Sequence, residues 1–298
     1  MHWSLLARIE CRLLLHSRGL WLVFPCILVV GLLIGTPQPA VAEALGATAV
    51  VAGFQIPVAV FGGFAALLVS YRAVSHGRES GRVLLVGSLP FARWELVVGK
   101  VVGRTAAVAV PTLLAVVAGY LVGAAGGRLA SPAVLLGFLV LAVCYLAVTV
   151  AVGVALSTVS RSSTPAVGGV VVYFLLLTVS WVELVSPIVY RELTGRAITP
   201  TNPPADIWLF LLQRATPSGS FLVATNWLFG IANSSASFNS AVLQSLPRVN
   251  TNALLVGDAF GTDVPFVLTE PVALAIMAAW LVASAVVGVL VFDRVDLA

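Results

Sequence analysis

LASPAVLLGFLVLAVCYLAVTVAVGVALSTVS, Leu129–Ser160, contains no Asp, Glu, Lys, Arg or His and is bracketed by Arg128 and Arg161. About 20 apolar residues in a helix cross the hydrocarbon of a bilayer. An ionised side chain at the bilayer centre costs roughly 2.5–3.5 kcal/mol on insertion scales, so charge-free intervals mark spans. Five further intervals pass the same test: Arg18 to Glu43, Glu43 to Arg72, Arg104 to Arg128, Arg161 to Glu183, and Glu270 to Asp293. The expected fold is all-α, a six-transmembrane-helix bundle forming a single domain over residues 1–298.

Composition agrees. The chain has 298 residues, 60% hydrophobic and 9% charged, whereas a soluble protein carries about 25% charged residues. It lacks the polar surface that water demands. The net charge of +4 does not point to nucleic acid, because the basic residues flank the apolar runs, as the positive-inside bias requires. Cys11, Cys26 and Cys144 match no metal or disulfide spacing and are read as buried small apolar residues. The first apolar run precedes TPQPAVAEA (residues 36–44), an A-x-A-like cleavage site. With five spans behind it, an uncleaved first helix is the simpler reading.

Short loops set the orientation. Arg8, Arg12 and Arg18 precede the first span, six basic residues from Arg72 to Arg104 lie between spans two and three, and Arg161 and Arg294 fall on the same side. Both termini are therefore expected in the cytoplasm, and the long segment 186–270 outside the cell (plasma) membrane. The charge-free stretch between Arg214 and Arg248 is peppered with Ser, Thr, Asn and Gln and is expected to be extramembrane or interfacial. Ile207–Leu212 is too short to cross. Asn233, Ser234 and Ser235 form a glycosylation sequon on the outer side, which makes Asn233 a possible glycosylation site. Residues 1–18 read as an amphipathic helix. Arg8, Arg12 and His16 share one stripe, and Leu6, Ile9 and Leu13 the other. Glu10 falls near the apolar side and spoils the pattern.

The most informative segment is YRAVSHGRESGRVLLVGSLPFARWELVVGKVVGR, Tyr71–Arg104. Gly77 and Gly81 break the helix leaving span two. Val83–Val86 is apolar yet sits in a charged loop, rimmed by Arg78, Glu79 and Arg82, as a docking surface requires. Ser88 and Pro90 read as the cap and first turn of a helix leading into span three.

This segment resembles the loop between the second and third spans of ABC-2 type transporter permeases. The matching residues are Glu79, Gly81, Leu84, Leu85, Ser88, Leu89, Pro90, Arg93, Gly99 and Lys100; Arg82 stands where many members have Thr. The tail, VFDRVDL, is also similar. The long outer loop looks most like the branch containing the permease of the nitrous-oxide reductase maturation system. Met1 and Met277 are the only methionines, however, so a copper path of soft ligands is poorly supported. The resemblance implies a permease subunit of an ABC-type exporter that works by alternating access. A separate ABC ATPase would hold ATP and Mg, and the permease would pair with a second copy or a similar permease in the lipid bilayer. It also implies that Arg78, Glu79, Gly81, Arg82, Leu84, Leu85, Leu89, Pro90 and Arg93 contact the ATPase subunit.

The chain carries no catalytic or metal-site pattern of its own. Its one Gly-Lys, Gly99–Lys100, is followed by Val101, with Trp94 where a P-loop needs glycine. His2, His16 and His76 build no zinc motif, and no nucleophile elbow is present. No cofactor and no enzymatic activity are expected of this chain. Two alternatives remain, a secondary transporter and a structural or assembly subunit. The first would need intramembrane ionisable groups, for which Glu183, beside Trp181, is the one candidate; the second would need no docking loop.

Overall fold

The structure, a computed structural model, describes residues 3–35, 39–75, 92–160, 162–246 and 249–294. Every regular element among these residues is helical. In chain order the principal helices are α1 (Trp3–Leu15), α2 (Leu20–Ile34), α3 (Thr48–Ser70), α4 (Arg93–Ala125), α5 (Pro132–Val159), α6 (Ser163–Val179) and α7 (Trp181–Thr194). They are followed by α8 (Ile207–Arg214), α9 (Pro217–Leu228), α10 (Phe238–Gln244) and α11 (Glu270–Arg294).

Helices α3, α4, α5 and α11 are each long and apolar enough to cross a membrane. Among the described residues the total reaches six when α1 with α2, bent by 71°, and α6 with α7, bent by 65°, count as one crossing each. The chain is thus a multi-pass membrane protein. The fifth expected span, Arg161 to Glu183, is broken at Ser180. There the backbone pairing slips to i→i+5, with the Ser180 N–H on the Leu175 carbonyl (3.0 Å) and the Val185 N–H on the Ser180 carbonyl (2.9 Å). Such π turns open a helix at one point without stranding its polar groups.

Span α3 is interrupted in the same way. Pro57 has no N–H to donate, and a π turn follows at Val58–Gly62. The Phe54 ring, fully buried, packs where Gly31 of α2 and Gly119 of α4 have no side chain. In a bilayer no hydrophobic force separates helix from lipid, so close contact of this kind holds the bundle. Tyr145 of α5 donates to the Ala59 carbonyl at 2.9 Å, satisfying backbone within the π turn.

One expectation is corrected here. Cys26 and Cys144 are exposed on the outer surface of α2 and α5, and Cys11 is only partly covered; an apolar span turns many small residues toward lipid, so an apolar run does not mean burial. The segment after Arg214, expected to be extramembrane or interfacial, is built into the protein interior. Helix α9 is buried from Pro217 to Asn226 and packs against α5 and α11. Phe221 stacks on Tyr145 with ring centroids 4.8 Å apart. The Trp280 indole donates to the Ala215 carbonyl at 2.7 Å, and Trp280 lies about 15 Å along α11 from its start. Helices α8 and α9 therefore form a hairpin that dips into one end of the bundle.

Candidate functional site

The centre of the predicted contact loop, residues 76–91, lies outside the described residues. So do Arg78, Glu79, Gly81, Arg82, Leu84, Leu85, Leu89 and Pro90. Arg93 is the first residue of α4. The two ends of the loop are described, and both are tied to the bundle.

At the entry, the Ser157 hydroxyl of α5 accepts from the Val74 N–H at 3.0 Å and the Ser75 N–H at 3.2 Å. It donates to the Ser75 hydroxyl at 3.3 Å. Both serines are fully buried, so these bonds replace water that cannot reach the backbone. At the exit, the Ala92 N–H donates to the Glu95 carboxylate at 3.3 Å, a bond typical of a helix start.

The exit is also gripped by α1, which lies along α4. A Cβ on Gly103 would sit 2.5 Å from the Ala7 carbonyl oxygen and 2.9 Å from the Glu10 Cβ. A Cβ on Gly99 would meet Leu6 at 2.9 Å. The two glycines thus make a seat four residues long. Glu10 crosses that seat to pair with Lys100 and Arg104, each at 2.7 Å. Burial alone would push the Glu10 carboxyl up, but the Arg104 and Lys100 charges outweigh it and hold it below the ordinary carboxylate value. The Arg104 guanidinium also donates to the Val69 carbonyl near the end of α3. One cation therefore joins α1, α3 and α4 at the root of the loop. Gly99 and Lys100, two of the residues that carried the resemblance, serve this clasp.

Residues 6–297 match the family profile described as ABC-2 family transporter protein. The chain belongs to the ABC-2 transporter family. No individually curated protein matches it. The match runs from α1 through the loop to the tail and does not separate the branches of the family. An ABC-2 permease is a transmembrane subunit of an ABC-type transporter, not an enzyme, and the clasp lies in its membrane bundle beside the loop.

A second polar constellation in this permease lies between α3 and the hairpin. Gln55, fully buried, donates to Thr225 Oγ1 at 2.7 Å and to Asn226 Oδ1 at 2.9 Å. Its oxygen accepts from the Phe238 N–H at 2.7 Å. Asn226 in turn donates to the Ser234 and Ala236 carbonyls, each at 2.9 Å. In the sequence Gln55 is visible only as an interruption, because its partners lie some 170 residues away.

Arg214, at 1% exposure, donates to the Leu268 carbonyl at 2.7 Å and to Asn233 Oδ1 at 3.0 Å. Burial, partly offset by Glu270, lowers its pKa to about 10, so it remains charged. No sequence signal distinguished Arg214 from a solvated arginine. The Asn233 amide nitrogen, which a glycan would need, donates to the Leu268 carbonyl at 2.7 Å. In this geometry Asn233 is a structural tie, and a sugar there would have to break it.

Proposed function

We propose that this ABC-2 permease is the membrane half of an exporter that works by alternating access and is driven by a separate ABC ATPase docked on the loop around residues 78–93. Its N- and C-termini and the loop face the cytoplasm, and the 186–270 insertion faces outward. It pairs with a second copy or a similar permease. The observation that carries this reading is the root of the loop. An apolar, charge-rimmed segment emerges from a base fastened to α1, α3, α4 and α5 by buried polar contacts. A loop so rooted passes a push from a partner into several spans at once. The free energy comes from the partner's preference for its ATP-closed state.

The apolar residues Val83–Val86 have no reason to face water unless a partner covers them. A carboxylate placed there and buried without a counter-charge should cost roughly 3 kcal/mol or more. The permease carrying Leu85→Asp should therefore reach the membrane at normal abundance but retain less than a tenth of the P-loop subunit on co-purification. Normal capture with Leu85→Asp would exclude this loop as the docking element.

A further inference from the structure

The insertion holds a cavity of about 250 Å³ beside the break between α6 and α7. Three polar side chains line it: Glu183 of α7, Gln213 of α8, and Asn252. Gln213 is only 5% exposed, and among the described residues its side-chain amide has no hydrogen-bond partner. Buried amides are ordinarily bonded: within the insertion Asn226 and Asn233 hold backbone carbonyls and Gln244 accepts from the Thr251 N–H at 2.8 Å, while Asn239 Oδ1, like Gln213, is left without a partner among the described residues. Glu183, exposed at the mouth, forms no ion pair or hydrogen bond among the described residues. The neighbouring cations are engaged elsewhere, Arg214 on Leu268 and Asn233 and Arg196 on Asp206 at 3.4 Å. Asn252 adopts the left-handed conformation, φ 60°, and its N–H donates to Asn250 Oδ1 at 3.0 Å, leaving its amide uncommitted.

An uncompensated carboxylate selects a cation. Two unbonded amides offer both donors and acceptors. The remaining wall, including Ile198, Pro200 and Leu254, suits a short carbon skeleton. The volume equals about eight liquid-water shares, below the usual range for drug-sized ligands. A lone carboxylate and two amides are too few hard oxygens for calcium, which takes six to eight. We propose that this cavity binds a small organic amine, its ammonium on Glu183 and a hydroxyl or carbonyl on Gln213 and Asn252. Binding needs no ATPase, so the site stands or falls apart from the coupling proposal.

The test uses the full chain in lipid nanodiscs, titrated with 3-amino-1-propanol and followed by saturation-transfer NMR. Saturable binding is expected, with none for 1,3-propanediol or 3-hydroxypropanoate. Glu183→Gln should weaken binding at least tenfold at an unchanged unfolding temperature. Gln213→Glu, which adds a second carboxylate, should tighten it severalfold and decides the matter where Glu183→Gln fails to fold. No saturable binding to the unaltered chain, equal binding of the neutral diol, or unchanged affinity in both variants would overturn the assignment.

Discussion

Glu10 looks misplaced in the sequence, a carboxylate near the apolar stripe of an amphipathic helix. Its place is explained by Lys100 and Arg104, some ninety residues away, and no local pattern connects them. With a side chain 13% exposed, Glu10 sits in a pair that is costly to break from one side. Glu10→Ala should destabilise the detergent-solubilised protein by roughly 3–5 kcal/mol, read as a lower midpoint of thermal unfolding. The pH dependence follows from the depressed Glu10 pKa. Its contribution is fully present above the ordinary carboxylate value and is lost as pH falls through the lower folded-state value. Stability of the native chain should therefore drop on acidification below about pH 4.5, and Glu10→Gln should flatten that drop. An equal acid response in the two proteins would detach Glu10 from the clasp.

At the scale of elements, Leu129–Ser160 was readable because a membrane-crossing helix needs little beyond length and apolarity. It appears as α5, Pro132–Val159. Helix α9 was not readable, because Thr225 and Asn226 look like water-seeking residues until Gln55 is seen to bond them. Polarity satisfied by a distant partner is indistinguishable, in sequence, from polarity satisfied by solvent. The break at Ser180 was hidden for a related reason: its cause is backbone pairing, and no Pro or Gly marks it. The proposed contact loop stood out in the sequence as an apolar run among charges, while its root did not. If Gln55 holds the hairpin in the bundle, Gln55→Leu strands the Phe238 N–H and the Asn226 amide oxygen. A buried group left unbonded costs about 1–3 kcal/mol. Hydrogen exchange should rise selectively in residues 207–244, with α4 and α5 still protected. Uniform loss of protection would mean that Gln55 serves the whole bundle.

For the molecule as a whole, the 6–297 family match and the long apolar helices make it a permease without a P-loop. The purified chain alone should neither bind nor hydrolyse ATP; hydrolysis by a preparation free of any ATPase chain would refute that division of labour. In the proposed arrangement the partner docks on one side only, beyond the clasp of α1, α3 and α4, with the insertion on the other. Photo-crosslinking in intact membranes reads both features together. A benzophenone amino acid replacing Leu85 should capture the P-loop subunit, and the same group replacing Leu193, exposed on α7, should capture none. Capture from position 193, or none from position 85 with the complex assembled, would contradict the proposed docking and orientation.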